Sequence, residues 1–219
     1  MGAALAGLVI LVIGDSHMSH MMTNLHNELE NDGAAVHSYF MCGATAGDWV
    51  YPSQVASWAG CVKGEHHGHD PVVLDNQKLT PTYSVMKLIA QYHPDLVVVQ
   101  SGDAMVSSAQ FDRTWLVNQV HALTGRLAAA NVACDWVGPI WGQDKPPHNK
   151  TEAETKELSQ LLGTSVSPCR YIDSTGFARP GEWPTVDGSH LTPDGYRKWS
   201  AHIADAVVRL KSPGLASSR

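Results

Sequence analysis

Continuous apolar runs alternate along most of this chain with segments that have helical periodicity. Short runs rich in valine, isoleucine and leucine predict five buried strands, at 9–13, 34–40, 96–99, 132–137 and 171–173. Apolar residues recur at helical spacing in five further segments, at 17–32, 81–93, 111–130, 151–162 and 193–210. Strands that alternate with helices favour an α/β fold with a five-stranded parallel sheet covered on both faces, and we expect the strand order 2-1-3-4-5.

The segment from 48 to about 80 follows neither period. It is rich in tryptophan, glycine, histidine and proline, and only Val72-Val73-Leu74 interrupts it with an apolar run. This composition predicts a long loop with room for a small hairpin. Because the chain shows no internal repeat and no linker, we expect one domain over residues 1–211, followed by a frayed tail at 212–219.

Composition and charge narrow the class of protein. The chain has 219 residues, of which 43% are hydrophobic and 16% charged, as in a globular protein. Its formal charge of -6 argues against a nucleic-acid partner, which requires clustered lysine and arginine. The apolar stretch at 2–13 is too short to cross a bilayer and has no basic residue before it, so we interpret it as a core strand.

Four cysteines lack the C-x-x-C spacing of zinc and redox sites. We predict two disulfides, Cys42 with Cys61 and Cys134 with Cys169, which requires an oxidising compartment. The alternative is four buried free thiols in a cytosolic protein.

The residues that carry chemistry lie near the two ends of the chain. The first strand runs into Gly14-Asp15-Ser16-His17 and delivers a serine to the start of a helix. Near the other end, Asp187 and His190 supply an acid and a base in one short loop. A serine hydroxyl becomes a nucleophile when a histidine takes its proton and a carboxylate orients that histidine. We therefore predict Ser16, His190 and Asp187 as a catalytic unit, with the Ser16 and Gly43 N–H groups as oxyanion donors.

These motifs resemble those of the SGNH or GDSL superfamily of serine esterases and acyltransferases. Gly14-Asp15-Ser16-His17 is similar to its first motif, Gly43 to its second, and the stretch from Asp187 to Tyr196 to its last. The resemblance spans nearly the whole domain. It implies a three-layer α/β/α sandwich, with serine as nucleophile, histidine as base and aspartate as orienting group, and with no metal or organic cofactor.

One position departs from the family pattern. The third motif of the family reads Gly-x-Asn-Asp, whereas this chain has Gln100-Ser101-Gly102-Asp103 and lacks the asparagine that donates to the oxyanion. The loss of one such donor typically costs ~10²- to 10³-fold in rate. Either the Gln100 or the Ser101 side chain substitutes, or the enzyme hydrolyses its ester slowly, which a transferase tolerates.

The histidine after the serine refines the expected activity. Gly-Asp-Ser-His is similar to the branch that moves O-acetyl groups on extracytoplasmic polysaccharides such as alginate, cellulose and peptidoglycan. The resemblance therefore implies a periplasmic or extracellular acetyltransferase with acetylesterase activity, cleaved from an upstream signal or anchor. It also implies a polysaccharide or oligosaccharide acceptor, and an acetyl donor that a membrane partner delivers. The alternatives are an esterase that only hydrolyses and a weakened glycan-binding module.

Other residues near the predicted site are given lesser roles. We expect Asp15, Asp103 and His20 to be structural, and His17 either to pack or to shape the pocket. The histidine-rich tract 65–70 looks like a solvated loop that binds metal only adventitiously. Sugar rings stack on aromatic faces, so the tryptophans predicted to lie in loops at the carboxyl edge of the sheet are candidate substrate contacts: Trp49, Trp141 and Trp183, with Trp58 as a further loop tryptophan.

Overall fold

A computed structural model describes residues 3–51, 53–56, 61–70, 72–75, 77, 79–106 and 111–211. The predicted tail at 212–219 and Trp58 lie outside these residues. The described strands are β1 (Val9–Gly14), β2 (Ala35–Met41), β3 (Gln54–Ala56), β4 (Lys63–His67), β5 (Val73–Asp75), β6 (Leu79–Pro81), β7 (Leu96–Gln100), β8 (Ala133–Val137) and β9 (Arg170–Ile172). The helices are α1 (Ser16–Asn31), α2 (Val85–Tyr92), α3 (Arg113–Ala129), α4 (Glu152–Ser165) and α5 (Pro193–Lys211).

The main sheet is mixed and has seven strands, in the order β5-β4-β2-β1-β7-β8-β9. Its five parallel strands are the predicted ones, in the predicted order, with β1 between β2 and β7. The prediction of a sheet of only five parallel strands is wrong, because β4 and β5 add antiparallel strands beyond β2. Strands β3 and β6 form a separate two-stranded sheet.

The extra strands come from the segment that the sequence predicts as a long loop with room for a small hairpin, and in it β4 and β5 pair antiparallel. Strand β4 reads Lys-Gly-Glu-His-His and contains none of the β-branched or aromatic residues that favour strands. It pairs because β2 offers an open edge, and Gly64 lets the two strands approach: a Cβ at Gly64 would lie 2.6 Å from the Phe40 ring. Tertiary pairing therefore overrides local propensity at this edge.

Two hydrophobic layers explain why the parallel strands are apolar along their whole length. In β1, Ile10 and Val12 pack with α1 and α5 on one face of the sheet, while Leu11 and Ile13 pack with α2, α3 and α4 on the other. Strand β7 alternates in the same way. A strand covered on both faces has no polar side, which is the pattern expected of a buried parallel sheet.

Both predicted disulfides are present, Cys42–Cys61 and Cys134–Cys169, with Cα atoms 5.9 and 4.6 Å apart. The first joins the segment after β2 to the segment before β4, and the second joins β8 to the start of β9. Such bonds fit an oxidising extracytoplasmic compartment. Among the described residues, no helix has the length and apolar character needed to cross a membrane.

Candidate active site

The site lies at the carboxyl edge of the parallel sheet, where β1 meets its two neighbours. Gly14 at the end of β1 pairs with Phe40 of β2 and with Gln100 of β7. The chain leaves β1 into α1, while β2 and β7 each continue into a loop. The strand order reverses at β1, and such switch points form the crevices in which α/β proteins bind ligands.

The three residues predicted as a catalytic unit lie within hydrogen-bond distance of one another. Ser16 Oγ is 2.9 Å from His190 Nε2, and His190 Nδ1 is 2.7 Å from Asp187 Oδ2. The second carboxylate oxygen of Asp187 accepts hydrogen bonds from the Ser189 and His190 backbone N–H groups, at 3.0 and 2.8 Å. Asp187 is thereby fixed against the ring that follows it by only three residues.

The charge states suit proton transfer from serine. Burial alone would raise the pKa of Asp187, but hydrogen bonds from His190 and Ser189 outweigh it and lower that pKa to about 2. Burial, together with the nearby His17, lowers the pKa of His190 to about 4. At neutral pH, Asp187 is therefore a carboxylate and His190 a neutral imidazole. Its Nδ1–H donates to Asp187, which leaves the Nε2 lone pair facing the Ser16 hydroxyl.

Two backbone N–H groups at the carboxyl ends of β1 and β2 have no hydrogen-bond partner among the described residues. Asp15 caps α1 by accepting the His17 N–H at 3.0 Å, whereas the Ser16 N–H in the first turn has no partner among the described residues. The Gly43 N–H also has none in this part of the chain, and Gly43 is exposed, with a φ of +72°. An unpaired donor at a helix N-terminus, such as the Ser16 N–H, stabilises developing negative charge.

The two side chains predicted to replace the family asparagine are both buried, with 1% exposure each. Gln100 packs against the end of β1, with Oε1 3.0 Å from the position that a Cβ on Gly14 would occupy. The Ser101 carbonyl accepts the Trp136 indole N–H at 2.9 Å. A role for either side chain at the oxyanion stays a prediction.

A buried network of polar side chains lies next to the catalytic residues, on the inner side of His190. His17 Nδ1 lies 2.9 Å from the Tyr196 hydroxyl, and its Nε2 lies 3.1 Å from Asp103 Oδ2. Lys150 Nζ is 2.5 Å from the other Asp103 oxygen, and both side chains are nearly buried. Although burial would raise the pKa of Asp103, Lys150 and His17 hold it well below its usual value. His17 thus packs beneath the His190 ring, with the ring centres 4.9 Å apart.

A second loop, which the sequence shows only as polar and rich in turns, is fastened to the loop that carries Asp187. The Gln143 N–H donates to the Gly188 carbonyl at 2.8 Å, and the His148 N–H donates to the Asp187 carbonyl at 3.2 Å. Gln143 Oε1 also accepts from the Thr185 N–H and hydroxyl at 2.9 and 2.6 Å. We name residues 143–149 the clamp loop. No sequence pattern signals this pairing, because it depends on backbone groups that every residue carries.

Comparison with known proteins identifies the family. No family model matches the chain. Protein BcsX of Komagataeibacter xylinus is 37% identical over 220 residues, and the alignment covers 98% of this chain and 80% of that protein. The chain belongs to the BcsX family. The predicted SGNH resemblance is confirmed at the level of the fold, which this BcsX-family chain shares with solved SGNH structures.

Three solved structures illustrate that shared fold. A peptidoglycan O-acetylesterase has a TM-score of 0.55 at 13% identity, covering 97% of this chain and 93% of its own. An acetyl xylan esterase has a TM-score of 0.56 at 14% identity, covering 91% of this chain and all of its own, 100%. A GDSL-like lipase from Bacteroides thetaiotaomicron has a TM-score of 0.58 at 10% identity, covering 92% and 88%. At these identities the likeness establishes architecture alone.

The tryptophans predicted to stack on sugar are buried in this BcsX-family chain. Trp49 is fully buried, at 0% exposure, and packs beside Tyr83. Trp183 packs on His202, and the Trp141 indole N–H is shared by the Thr175 and Ala178 carbonyls at 3.0 and 2.7 Å. These contacts hold the rings in the protein interior, so the geometry does not support sugar stacking on Trp49, Trp141 or Trp183.

The histidine-rich tract differs from the predicted solvated loop. Its first part is strand β4, where His66 stacks on His26 with ring centres 4.0 Å apart and His67 Nδ1 lies 3.1 Å from His37 Nδ1. Burial is the main cause that lowers the pKa of His26, to about 4. His66 and His67 are therefore part of the sheet edge, because cross-strand partners on β2 and a facing helix cover them.

Gly188 lies where the clamp loop and the loop that carries Asp187 are in close contact. It has a φ of +94°, and a Cβ there would collide with the Lys145 carbonyl oxygen. We expect Gly188→Ala to displace Asp187 and to lower turnover of an aryl acetate by about 10²-fold, the scale reported for small misplacements of catalytic groups. Initial rates of the purified variants measure this effect.

Gly181→Ala is the matched control, because Gly181 also has a positive φ, +75°, but has open space around its Cβ position. It carries a similar backbone strain away from the clamp loop, so its turnover should stay within about threefold of the parent. Equal losses in both variants would attribute the effect to backbone strain and contradict the role of the clamp loop.

Proposed function

We propose that this protein transfers O-acetyl groups on an extracytoplasmic polysaccharide through an acetyl-Ser16 intermediate. The observation that carries the proposal is the continuous hydrogen-bonded series Ser16–His190–Asp187. The Ser16 and Gly43 N–H groups, which have no partner among the described residues, support it. The nucleophile, the base and the orienting carboxylate that acyl transfer by serine uses all come from this chain.

In the first half-reaction, Ser16 Oγ attacks the acetyl carbonyl while His190 Nε2 takes the hydroxyl proton. The Ser16 and Gly43 N–H groups stabilise the resulting oxyanion, and Asp187 stabilises the imidazolium. When the tetrahedral intermediate collapses, the bond to the donor oxygen breaks and His190 returns its proton to that leaving group. The products are acetyl-Ser16 and the deacetylated donor.

In the second half-reaction, the acceptor hydroxyl gives its proton to His190 Nε2 and attacks the acetyl-serine carbonyl. Collapse returns the proton to Ser16 and releases the acetylated acceptor. The same steps with water release acetate, so the choice of acceptor alone separates a transferase from an esterase.

A polysaccharide acceptor is supported by several separate observations. Two solved proteins that share the fold are described as a peptidoglycan O-acetylesterase and an acetyl xylan esterase. Two disulfides fit the compartment in which such polymers are found. Gly102, in place of the family asparagine, removes one oxyanion donor, a loss better tolerated when a bound sugar competes with water for the intermediate. The donor would be delivered by a membrane partner.

An esterase that only hydrolyses is the second candidate, since Ser16 is only part-buried and water reaches it. The purified protein is incubated with an aryl acetate, with and without oligosaccharides of the cellulose, alginate or peptidoglycan type. Mass spectrometry follows the acetylated sugar, and a pH-stat follows acetate.

We expect Ser16-dependent acetylated oligosaccharide and a lower yield of acetate when the acceptor is present. Acetate alone, at the same rate with every acceptor, would establish the esterase instead. Turnover that persists in Ser16→Ala would refute both, and binding of acetylated oligosaccharide without turnover would leave a glycan-binding module.

A further inference from the structure

One side chain beside the catalytic unit has no part in acetyl transfer. His148 Nε2 lies 3.6 Å from Asp187 Oδ2, and the His148 ring centre is 5.4 Å from that of His190. The His148 side chain is 49% exposed, so solutes reach it from outside. His148, Asp187 and His190 each offer one ligand atom, and these three atoms lie within 4.8 Å of one another. No other such trio occurs in the part of the chain that the structure describes.

The clamp loop holds His148 in place before any ligand arrives. Its backbone N–H donates to the Asp187 carbonyl at 3.2 Å, and the next residue, Asn149, donates to the Lys145 carbonyl at 2.9 Å. Asp187 and His190 are fixed by the bonds described above. The backbone at all three positions is therefore held in place, and the His148 side chain already lies on the Asp187 side of the loop.

The spacing suits a small tetrahedral metal ion. Zinc binds histidine nitrogen and carboxylate oxygen at about 2.0–2.2 Å, so adjacent ligand atoms in a tetrahedral site lie about 3.3 Å apart. The observed separations of 3.6 Å for His148–Asp187 and 2.7 Å for Asp187–His190 lie on either side of that value. Two imidazoles and one carboxylate, with a fourth position open to water, form a common zinc ligand set.

We propose that Zn²⁺ binds reversibly to His148, Asp187 and His190 and thereby inhibits the enzyme. The inhibition rests on the proposed acetyl transfer, whereas the binding does not. The ion binds the Nδ1 lone pair of neutral His190, so the ring proton moves from Nδ1 to Nε2 and none is lost from the ring. Nε2 then carries that hydrogen and has no lone pair left to take the Ser16 proton.

Binding is tested on the Ser16→Ala protein, which keeps all three ligands and needs no turnover. Isothermal titration of the chelator-treated protein with zinc chloride should show a site whose affinity falls at least about tenfold in His148→Asn, since even outer-shell partners of a metal act on that scale. Any substitution other than proline retains the backbone N–H of the clamp loop. His148→Gln is a second variant, and circular dichroism checks that each is folded.

His69→Gln is the matched control. His69 is also an accessible histidine, 96% exposed, and its Nδ1 lies 3.4 Å from a Glu30 oxygen, but it belongs to the histidine-rich tract away from Ser16. This variant should keep the affinity of the parent. Unchanged zinc affinity in both His148 variants, or a loss confined to His69→Gln, would overturn the proposed site.

Inhibition is then measured on proteins that retain Ser16, each relative to its own zinc-free rate. Zinc should inhibit the parent and His69→Gln at the concentrations at which it binds, and should inhibit His148→Asn only at concentrations at least about tenfold higher. If the protein has no turnover, the proposed function fails while the titration still decides the metal site. Turnover that is unaffected at saturating zinc would overturn the inhibitory role.

Discussion

Ser16→Ala is expected to lower turnover of an aryl acetate by about 10⁶-fold, because the hydroxyl that forms the covalent intermediate is lost. His190→Ala should cost nearly as much, since Ser16 Oγ has His190 Nε2 at 2.9 Å as its base. The double variant should have the same residual turnover as either single variant. The two residues act as a unit, so removing one already removes the contribution that they make together. Fixed-time assays with aryl acetate, with long incubations for the slow variants, measure these rates.

Ser19→Ala is the matched control for the serine. Ser19 lies one turn further along α1, and its hydroxyl donates to the Ser16 carbonyl at 2.6 Å. The same atom is removed from the same helix, but away from His190, so turnover should remain within about threefold, as expected for a change away from the reacting groups. If Ser16→Ala retained a tenth of the activity, another nucleophile would have to be found.

Lys150→Met is expected to lower the free energy of unfolding by about 3–5 kcal/mol at neutral pH, because it leaves the Asp103 carboxylate nearly buried without its cation. The two side chains are only 11% and 9% exposed, and their charged atoms are 2.5 Å apart. Denaturant unfolding measures the loss. Since Asp103 also contacts His17 beneath His190, turnover should fall as well.

Lys198→Met is the matched control. Lys198 pairs with Asp194 at 2.9 Å on the surface, where both side chains are about half exposed, at 45% and 58%. An exposed pair of this kind contributes about 0–1 kcal/mol. A loss in Lys198→Met as large as that in Lys150→Met would contradict the importance of burial.

The pH dependence separates charge from packing. The pKa of Asp103 in the folded parent lies below its ordinary value of 3.8, so the pair stabilises the fold above that value, and this stabilisation is lost as pH falls through the folded pKa. The deficit of Lys150→Met should therefore be greatest at neutral pH and shrink as acid protonates Asp103. The further change Asp103→Asn should recover part of it. A deficit independent of pH would point to lost packing of the lysine stem.

The parallel half of the fold and the residues of the candidate site are predictable from local sequence patterns. A strand buried on both faces must be apolar throughout, so β1 and β7 are visible as continuous runs. Ser16 lies two residues after the end of β1, and Asp187 lies three residues before His190, so each part of the site is encoded within a few residues. Local chemistry of this kind does not depend on distant contacts.

Features that depend on a partner far away in the chain become visible only in the folded protein. Strand β4 has a polar sequence and exists because β2 offers an unpaired edge. Lys150 and Asp103 are 47 positions apart (150 − 103), and no sequence pattern links them. They matter to stability as a pair because both charged side chains are nearly buried. Trp49 falls in a segment that the sequence predicts as a loop, yet it is fully buried. His148 gains a role only because backbone hydrogen bonds place it beside Asp187. Such effects arise from burial and from backbone pairing, and neither leaves a local pattern in the sequence.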